Sequence, residues 1–264
     1  MNLSEKGKVV YEEYPDKGIA KIIIDNPPLN VMSTEVLREL FEVINKANSS
    51  PNIRAVIIRG SGDKAFSAGA DLKEFAKYGI HEAREAAILG HTIMCAITNS
   101  PKIYIAAVNG YALGGGFELA LACDIVIASE NAKLGSPEVT LGITPGWGAT
   151  QRLPRIIGEK KAKEVLLTGN MISAREAYEL GIVNRVVSLE ELDKVAEEIA
   201  VKIARNAPLA VFAVKRLVNK SFEVSMDAGI LYEIEAFSNC FATEDKEEGI
   251  RAFFEKREPK YKGR

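Results

Sequence analysis

Two segments, Arg54 to Arg59 and Ile103 to Val108, are nearly continuous in apolar residues. Strands that read this way are buried on both faces, which commits the chain to a layered fold with a sheet inside. Two further β-rich runs, Ile19 to Ile24 and Ile125 to Ala128, share the first half. Helical patterns lie between the runs. From Ser33 to Ala47, the residues Val36, Leu37, Leu40, Phe41 and Ile44 form one stripe behind Ser33 as an N-cap. Leu72 to Tyr78 and Ala83 to Ile97 also read as helices. Strands alternating with helices predict crossover units and an α/β fold with a mostly parallel sheet.

After about Leu153 the pattern turns helical. Ser173 with Glu176, and Ser188 with Glu191, have the capping-box spacing and open the apolar-periodic segments Ala174 to Leu180 and Leu189 to Ala204. Pro208 to Asn219, Met226 to Phe241 and Asp245 to Phe254 complete a helical C-terminal third. No linker or repeat interrupts the chain. The expected division is a core over residues 1–200 and a helical C-terminal subdomain over 201–264.

Bulk properties exclude several classes. At 264 residues the chain can bury a sizeable core. A net charge of −2 supplies no field for nucleic acid or an anionic membrane surface, and no run approaches eighteen apolar residues. Cys95, Cys123 and Cys240 lie in apolar stretches, odd in number, and read as reduced core residues of a reducing compartment. The start, Met1 to Lys8, has no apolar core of a signal peptide, and Glu5, Glu12 and Glu13 suit a transit peptide poorly. A cytoplasmic location is expected. His91 and Cys95 have helical ligand spacing, but one pair without further ligands makes no metal site. Dinucleotide, phosphate-loop and serine-hydrolase motifs are absent.

The chemistry gathers at two places where a strand, a turn of small residues and a helix follow one another. They are Ala65-Phe-Ser-Ala-Gly-Ala-Asp71-Leu and Gly114-Gly-Gly-Phe-Glu118. Small residues let backbone N–H groups approach a ligand, and a helix start adds partial positive charge. The N–H groups of Ala70 and Gly115 are the natural pair for an oxyanion hole. With no nucleophile motif beside it, such a hole favours an enolate over a tetrahedral intermediate. Glu118, near a helix start, suits an ionised base. Glu138, beside Val139 and Leu141, is easier to keep protonated. Two carboxyls with split pKa values can divide base and acid work. Each feature alone also has a plain reading: a packing glycine, Asp71 as an N-cap, Glu138 as a first-turn glutamate.

The ordered set resembles the crotonase superfamily, most closely enoyl-CoA hydratases, over essentially the whole chain. The matching segments are Ala65 to Leu72, Lys102 to Ala120, Cys123-Asp124, Pro137-Glu-Val, Pro145 to Leu153 and Glu255-Lys-Arg. The resemblance implies a spiral of ββα units with a helical C-terminal part used for trimers, or hexamers of paired trimers. It implies hydration of a trans-2-enoyl-CoA, with no metal or organic cofactor beyond the CoA thioester. It places catalysis on Glu118 and Glu138, the oxyanion hole on Ala70 and Gly115, and CoA contacts on Ala70, Asp71, Leu72 and Lys73, with Ala68 beside them. Dehydration or double-bond isomerisation on the same scaffold are the alternatives, and RNA binding is the reading from another class. The loop Pro145-Gly-Trp147-Gly-Ala149 departs from the commonest hydratase pattern. Trp147 either narrows the acyl pocket or packs against the helical subdomain.

Overall fold

The computed structural model describes residues 8–264. The reading of Met1 to Gly7 as free of a leader therefore lies outside the described residues. Along the first half run β1 (Val9–Tyr14), β2 (Ile19–Ile24), α1 (Thr34–Ser49), β3 (Ala55–Gly60), β4 (Ala65–Ser67) and α2 (Leu72–Phe75). Then come α3 (Ile80–Thr98), β5 (Ile103–Val108), β6 (Tyr111–Leu113), α4 (Gly115–Ala122), β7 (Ile125–Ser129) and β8 (Lys133–Gly135). A 3-10 turn, Pro137–Leu141, leads to α5 (Ala149–Ile157), α6 (Glu159–Thr168), β9 (Ile172–Ser173), α7 (Ala174–Glu179) and β10 (Arg185–Val187). The chain closes with α8 (Leu189–Ala204), α9 (Pro208–Lys220), α10 (Met226–Cys240) and α11 (Glu244–Glu255).

The strands form two sheets. One has the order β1-β2-β3-β5-β7-β10, parallel except for the β1–β2 pair; the other runs β4-β6-β8-β9. Successive passages of the chain give one strand to each sheet: β3 then β4, β5 then β6, β7 then β8. After the first two of these passages a helix follows, which makes the ββα spiral. The expected α/β class and the four expected strands are present. The sequence reading did not include the six-residue β1, nor did it separate the strands of two or three residues, too short for period-2 alternation to register.

Side-chain alternation explains the two continuous apolar runs. Val56 and Ile58 of β3, with Tyr104, Ala106 and Val108 of β5, join the main core against α1 and α3. Ala55 and Ile57, with Ile105 and Ala107, face the other way into a second cluster completed by Leu192, Ala196 and Ala200 of α8. Both faces are covered, so neither strand has a polar side.

Caps set several boundaries. Ser33 accepts the Val36 N–H at the start of α1, and Ser173 with Glu176 forms a full capping box. Ser188 behaves differently: its hydroxyl donates to Glu191 Oε2 at 3.1 Å and accepts no backbone N–H of α8. The cysteine expectation needs a correction. All three are free thiols; Cys123 is half-buried and packs against the main core as expected, but Cys95 is exposed and Cys240 only half-buried. On α3 it is Met94 and Ile97 that turn into the core, which points Cys95 outward.

The C-terminal helices are tied to the sheet by few, well-defined contacts. The Lys215 ammonium on α9 is buried and donates to the carbonyls of Ile97 and Lys102 at 2.9 Å each, and meets Asp124 Oδ2 at 2.8 Å. Arg54 donates to the carbonyls of Ala204 and Tyr261 at 2.8 and 2.6 Å. Buried Asp245 accepts the N–H groups of Lys262 and Gly263. These bonds return the terminal segment to the start of β3.

Candidate active site

The site is built where the tips of β4 and β6 meet the start of α4. The two strands pair in parallel through Ser67 and Ala112. Beyond β4 the chain is anchored by main-chain bonds: Met32 N–H donates to the Gly69 carbonyl at 2.7 Å, and Asp71 N–H to the Met32 carbonyl at 3.3 Å. Ser67 supports the same turn by accepting the Gly69 N–H and donating to the Asn30 carbonyl. A Cβ on Gly69 would stand 2.7 Å from the Leu113 carbonyl oxygen and 3.0 Å from the Gly115 nitrogen. Only glycine allows the two turns to touch this closely.

Ala70 and Gly115 are therefore neighbours across this contact. Among the described residues, neither backbone N–H has an acceptor within the chain; Gly115 is the first residue of α4, where the helix leaves its N–H groups unpaired. Gly114 adopts φ +52°, a left-handed backbone that aims the helix start.

Glu118, the fourth residue of α4, is 2% exposed. Its Oε1 accepts the N–H groups of Trp147 at 2.7 Å and Ala149 at 2.9 Å. Burial raises its pKa above the usual carboxylate value, while the N–H donors of Ala149, Trp147 and Gly148 oppose the rise. The helix dipole expected from the sequence is therefore only part of the support. The 147–149 turn supplies N–H donors that oppose the effect of burial.

Glu138 lies in the 3-10 turn, half-buried, with Oε2 enclosed and without a hydrogen-bond partner among the described residues. Its Oε1 faces Gly114, where a Cβ would stand 3.2 Å away. Burial pushes its pKa up to about 7, and the nearby Glu118 charge adds to the rise. Leu141, offered from the sequence as an apolar neighbour, is itself 54% exposed. The carboxyl faces the glycine turn before α4.

Trp147 is buried, its indole N–H donating to the Ala86 carbonyl at 3.1 Å. A Cβ on Gly90 would overlap the pyrrole edge of the ring, and one on Gly115 would overlap the benzene edge. The indole thus fills a slot between α3 and α4, against the backbone of Gly115. The ring belongs to the main core cluster.

The remaining expected residues are less tightly gathered. Ala68 lies half-buried in the turn, and Asp71 is spent on capping, accepting the Lys73 N–H at 2.8 Å. Leu72 and Lys73 open α2 on the exposed rim. Sequence reasoning missed Ala149, Gly90 and the hydrogen-bond role of the Trp147 backbone. The available signal was the Gly-x-Gly turn before α5, since free N–H groups at a helix start seek an anion.

Fold and site together define the class. The chain belongs to the enoyl-CoA hydratase/isomerase family, whose model matches residues 15–264. It is 45% identical over 240 residues to the short-chain-enoyl-CoA hydratase of Clostridium acetobutylicum, spanning 90% of this chain and 92% of that protein. Against the crotonyl-CoA hydratase of Syntrophomonas wolfei it is 43% identical over 247 residues, 93% of this chain and 95% of the relative. The crystal structure of an enoyl-CoA hydratase from Bacillus anthracis superposes with a TM-score of 0.94 at 44% identity, covering 97% of this chain and all of that one.

Proposed function

We propose that this protein is an enoyl-CoA hydratase that adds water reversibly across the double bond of a trans-2-enoyl-CoA. The observation that carries the reading is the pair of carboxyls in unlike settings beside two unpaired N–H groups. The thioester oxygen accepts the N–H groups of Ala70 and Gly115, which stabilise the enolate as it forms. Glu118, the ionised partner, takes a proton from water as the oxygen adds at Cβ. Glu138, the more readily protonated partner, delivers a proton to Cα. One water is consumed, and the two carboxyls end in exchanged protonation states that solvent resets. Because they share one reaction site, their titration belongs to the pair.

The reaction as written uses only the chain's own groups, the CoA thioester and water. Ala68, Asp71, Leu72 and Lys73 line the rim where the CoA portion enters. The indole of Trp147, seated against Gly115, closes the acyl end behind the oxyanion donor and favours short chains. Residues 1–200 form the catalytic core and 201–264 the assembly subdomain. The latter carries exposed Val218, Phe222, Leu231, Ile234, Phe237 and Phe253, an apolar display consistent with trimers or paired trimers.

The test is loss of enoyl absorbance on mixing crotonyl-CoA with the wild type, Glu118→Gln and Glu138→Gln. Hydration in the wild type that falls by orders of magnitude in both variants supports the reading. A folded wild type that leaves crotonyl-CoA untouched but shifts the double bond of a 3-enoyl-CoA would replace it with isomerisation.

A further inference from the structure

Arg152 lies on α5, three residues past Ala149, and its guanidinium turns back onto the site. Its Nη1 donates to the Trp147 carbonyl at 3.0 Å, while its backbone N–H donates to the Gly148 carbonyl at 2.8 Å. A Cβ on Gly148 would overlap Nη1, so the guanidinium rests directly on that glycine, which adopts φ +120°. The same short turn is held from its other side by Glu118, through the N–H groups of Trp147 and Ala149. Trp147 therefore gives its N–H to the carboxylate and its carbonyl to the cation. Glu118 and Arg152 grip one peptide turn from opposite ends.

We propose that Arg152 is a positioning residue for hydration, fixing the Trp147–Ala149 turn on Glu118 and favouring the ionised carboxylate. The proposal rests on the reading of Glu118 as the base. Three features support it. The guanidinium rests on the turn whose N–H groups end on Glu118 Oε1, and a positive charge near a carboxyl favours the carboxylate. Bonded to the Trp147 carbonyl, the guanidinium polarises the Trp147–Gly148 peptide, and the Gly148 N–H is one of the three donors that oppose the rise of the Glu118 pKa. Burial lowers the Arg152 pKa, and Cys95 and then Glu118 oppose that, so the guanidinium lies within reach of the Glu118 charge. The other titratable groups around them are His91 and Cys95 on α3, Cys123 after α4 and Glu138 in the 3-10 turn. The guanidinium touches no reacting atom and acts through the turn.

The experiment compares wild type, Arg152→Gln and Arg152→Lys in two readouts. The first is the pH dependence of kcat and kcat/KM with crotonyl-CoA. The second is an infrared titration of the Glu118 carboxyl stretch, assigned by difference against Glu118→Gln. For Arg152→Gln the acid limb moves up by about one pH unit. Its kcat falls by up to about 10²-fold with KM nearly unchanged, as expected for a displaced base. Arg152→Lys keeps the charge with a shorter reach, so its limb moves less in the same direction. An unmoved limb and an unmoved carboxyl titration in a folded variant overturn the proposal, as does a loss confined to KM. If Arg152→Gln does not fold, Arg152→Lys decides by the same two readouts. A wild type inactive on crotonyl-CoA would sink the hydratase reading alone, because the infrared titration still measures the Arg152–Glu118 coupling.

Discussion

Glu118 Oε1 receives the Trp147 N–H at 2.7 Å and thereby joins α4 to the turn before α5. Two donors end on this one oxygen, the second being Ala149. Substitution therefore separates structure from chemistry. In Glu118→Gln an amide oxygen still accepts both N–H groups, but the side chain can no longer take a proton. Its stability should stay near wild type while kcat falls by about 10²–10⁴-fold. Glu118→Ala should instead strand two buried donors at about 1–3 kcal/mol each. Denaturant unfolding of the two variants beside the wild type checks the contrast, and equal stabilities would show that the turn does not depend on the carboxylate.

Glu138 links function to a stability penalty. Its pKa is raised from the usual carboxylate value to about 7, first by burial and then by the Glu118 charge. The folded protein therefore holds this proton more tightly than the unfolded chain. Stability from this group is fully present below the unfolded carboxylate value and is lost as pH rises through about 7. Glu138→Gln removes the titration, so it should be more stable than wild type at pH 8 and similar at pH 4. The full shift would correspond to about 3 kcal/mol, and solvent screening of this half-buried group brings the difference below that. Melting curves at the two pH values measure it, and a variant less stable at pH 8 would contradict the burial argument.

Much of this was legible in the sequence, for identifiable reasons. The strands around Val56 and Ile105 declared themselves because both faces are buried, and the Ser33 cap is a local signal read locally. Glu118, Glu138, Ala70 and Gly115 stood out because glycine turns and carboxyls in order are rare by chance. The Trp147–Glu118 bond was not legible, since it joins residues far apart through a backbone N–H that any residue type supplies. Nor was the slot for the indole: Gly90 looks like an ordinary helix glycine until α4 is placed beside it. Cys95 was misjudged because an apolar stretch on a helix does not say which face each residue takes.

Trp147 sits in that slot, and the space it fills sets the expected substrate range. Trp147→Ala removes a large buried ring, costing about 3–5 kcal/mol if the slot does not collapse. The cavity would open behind Gly115, where acyl atoms beyond Cβ are placed by the proposed binding mode. The kcat/KM ratio of octenoyl- to crotonyl-CoA should then rise, by about tenfold for each 1.4 kcal/mol that burial of the longer tail contributes. Calorimetric binding of decanoyl-CoA against butyryl-CoA reads the same pocket without turnover. A ratio unchanged in both measurements would mean that the acyl chain leaves the site by another route.

Lys215 and Asp124 form the buried ion pair that fastens α9 to the sheet. Burial raises the Asp124 pKa, and the Lys215 ammonium opposes the rise. The ammonium has three acceptors: Asp124 and the carbonyls of Ile97 and Lys102. Lys215→Met leaves the carboxylate and two carbonyls without their donor, so breaking the pair should cost about 3–5 kcal/mol. Asp124→Asn should be milder, because an amide oxygen can still accept from the ammonium and from the Tyr104 N–H that Asp124 now holds. In the double variant the stranded carboxylate is gone, so its loss should be smaller than the sum of the two single losses. Urea unfolding of all four proteins gives the coupling directly, and strictly additive losses would mean that α9 docks through its apolar face alone.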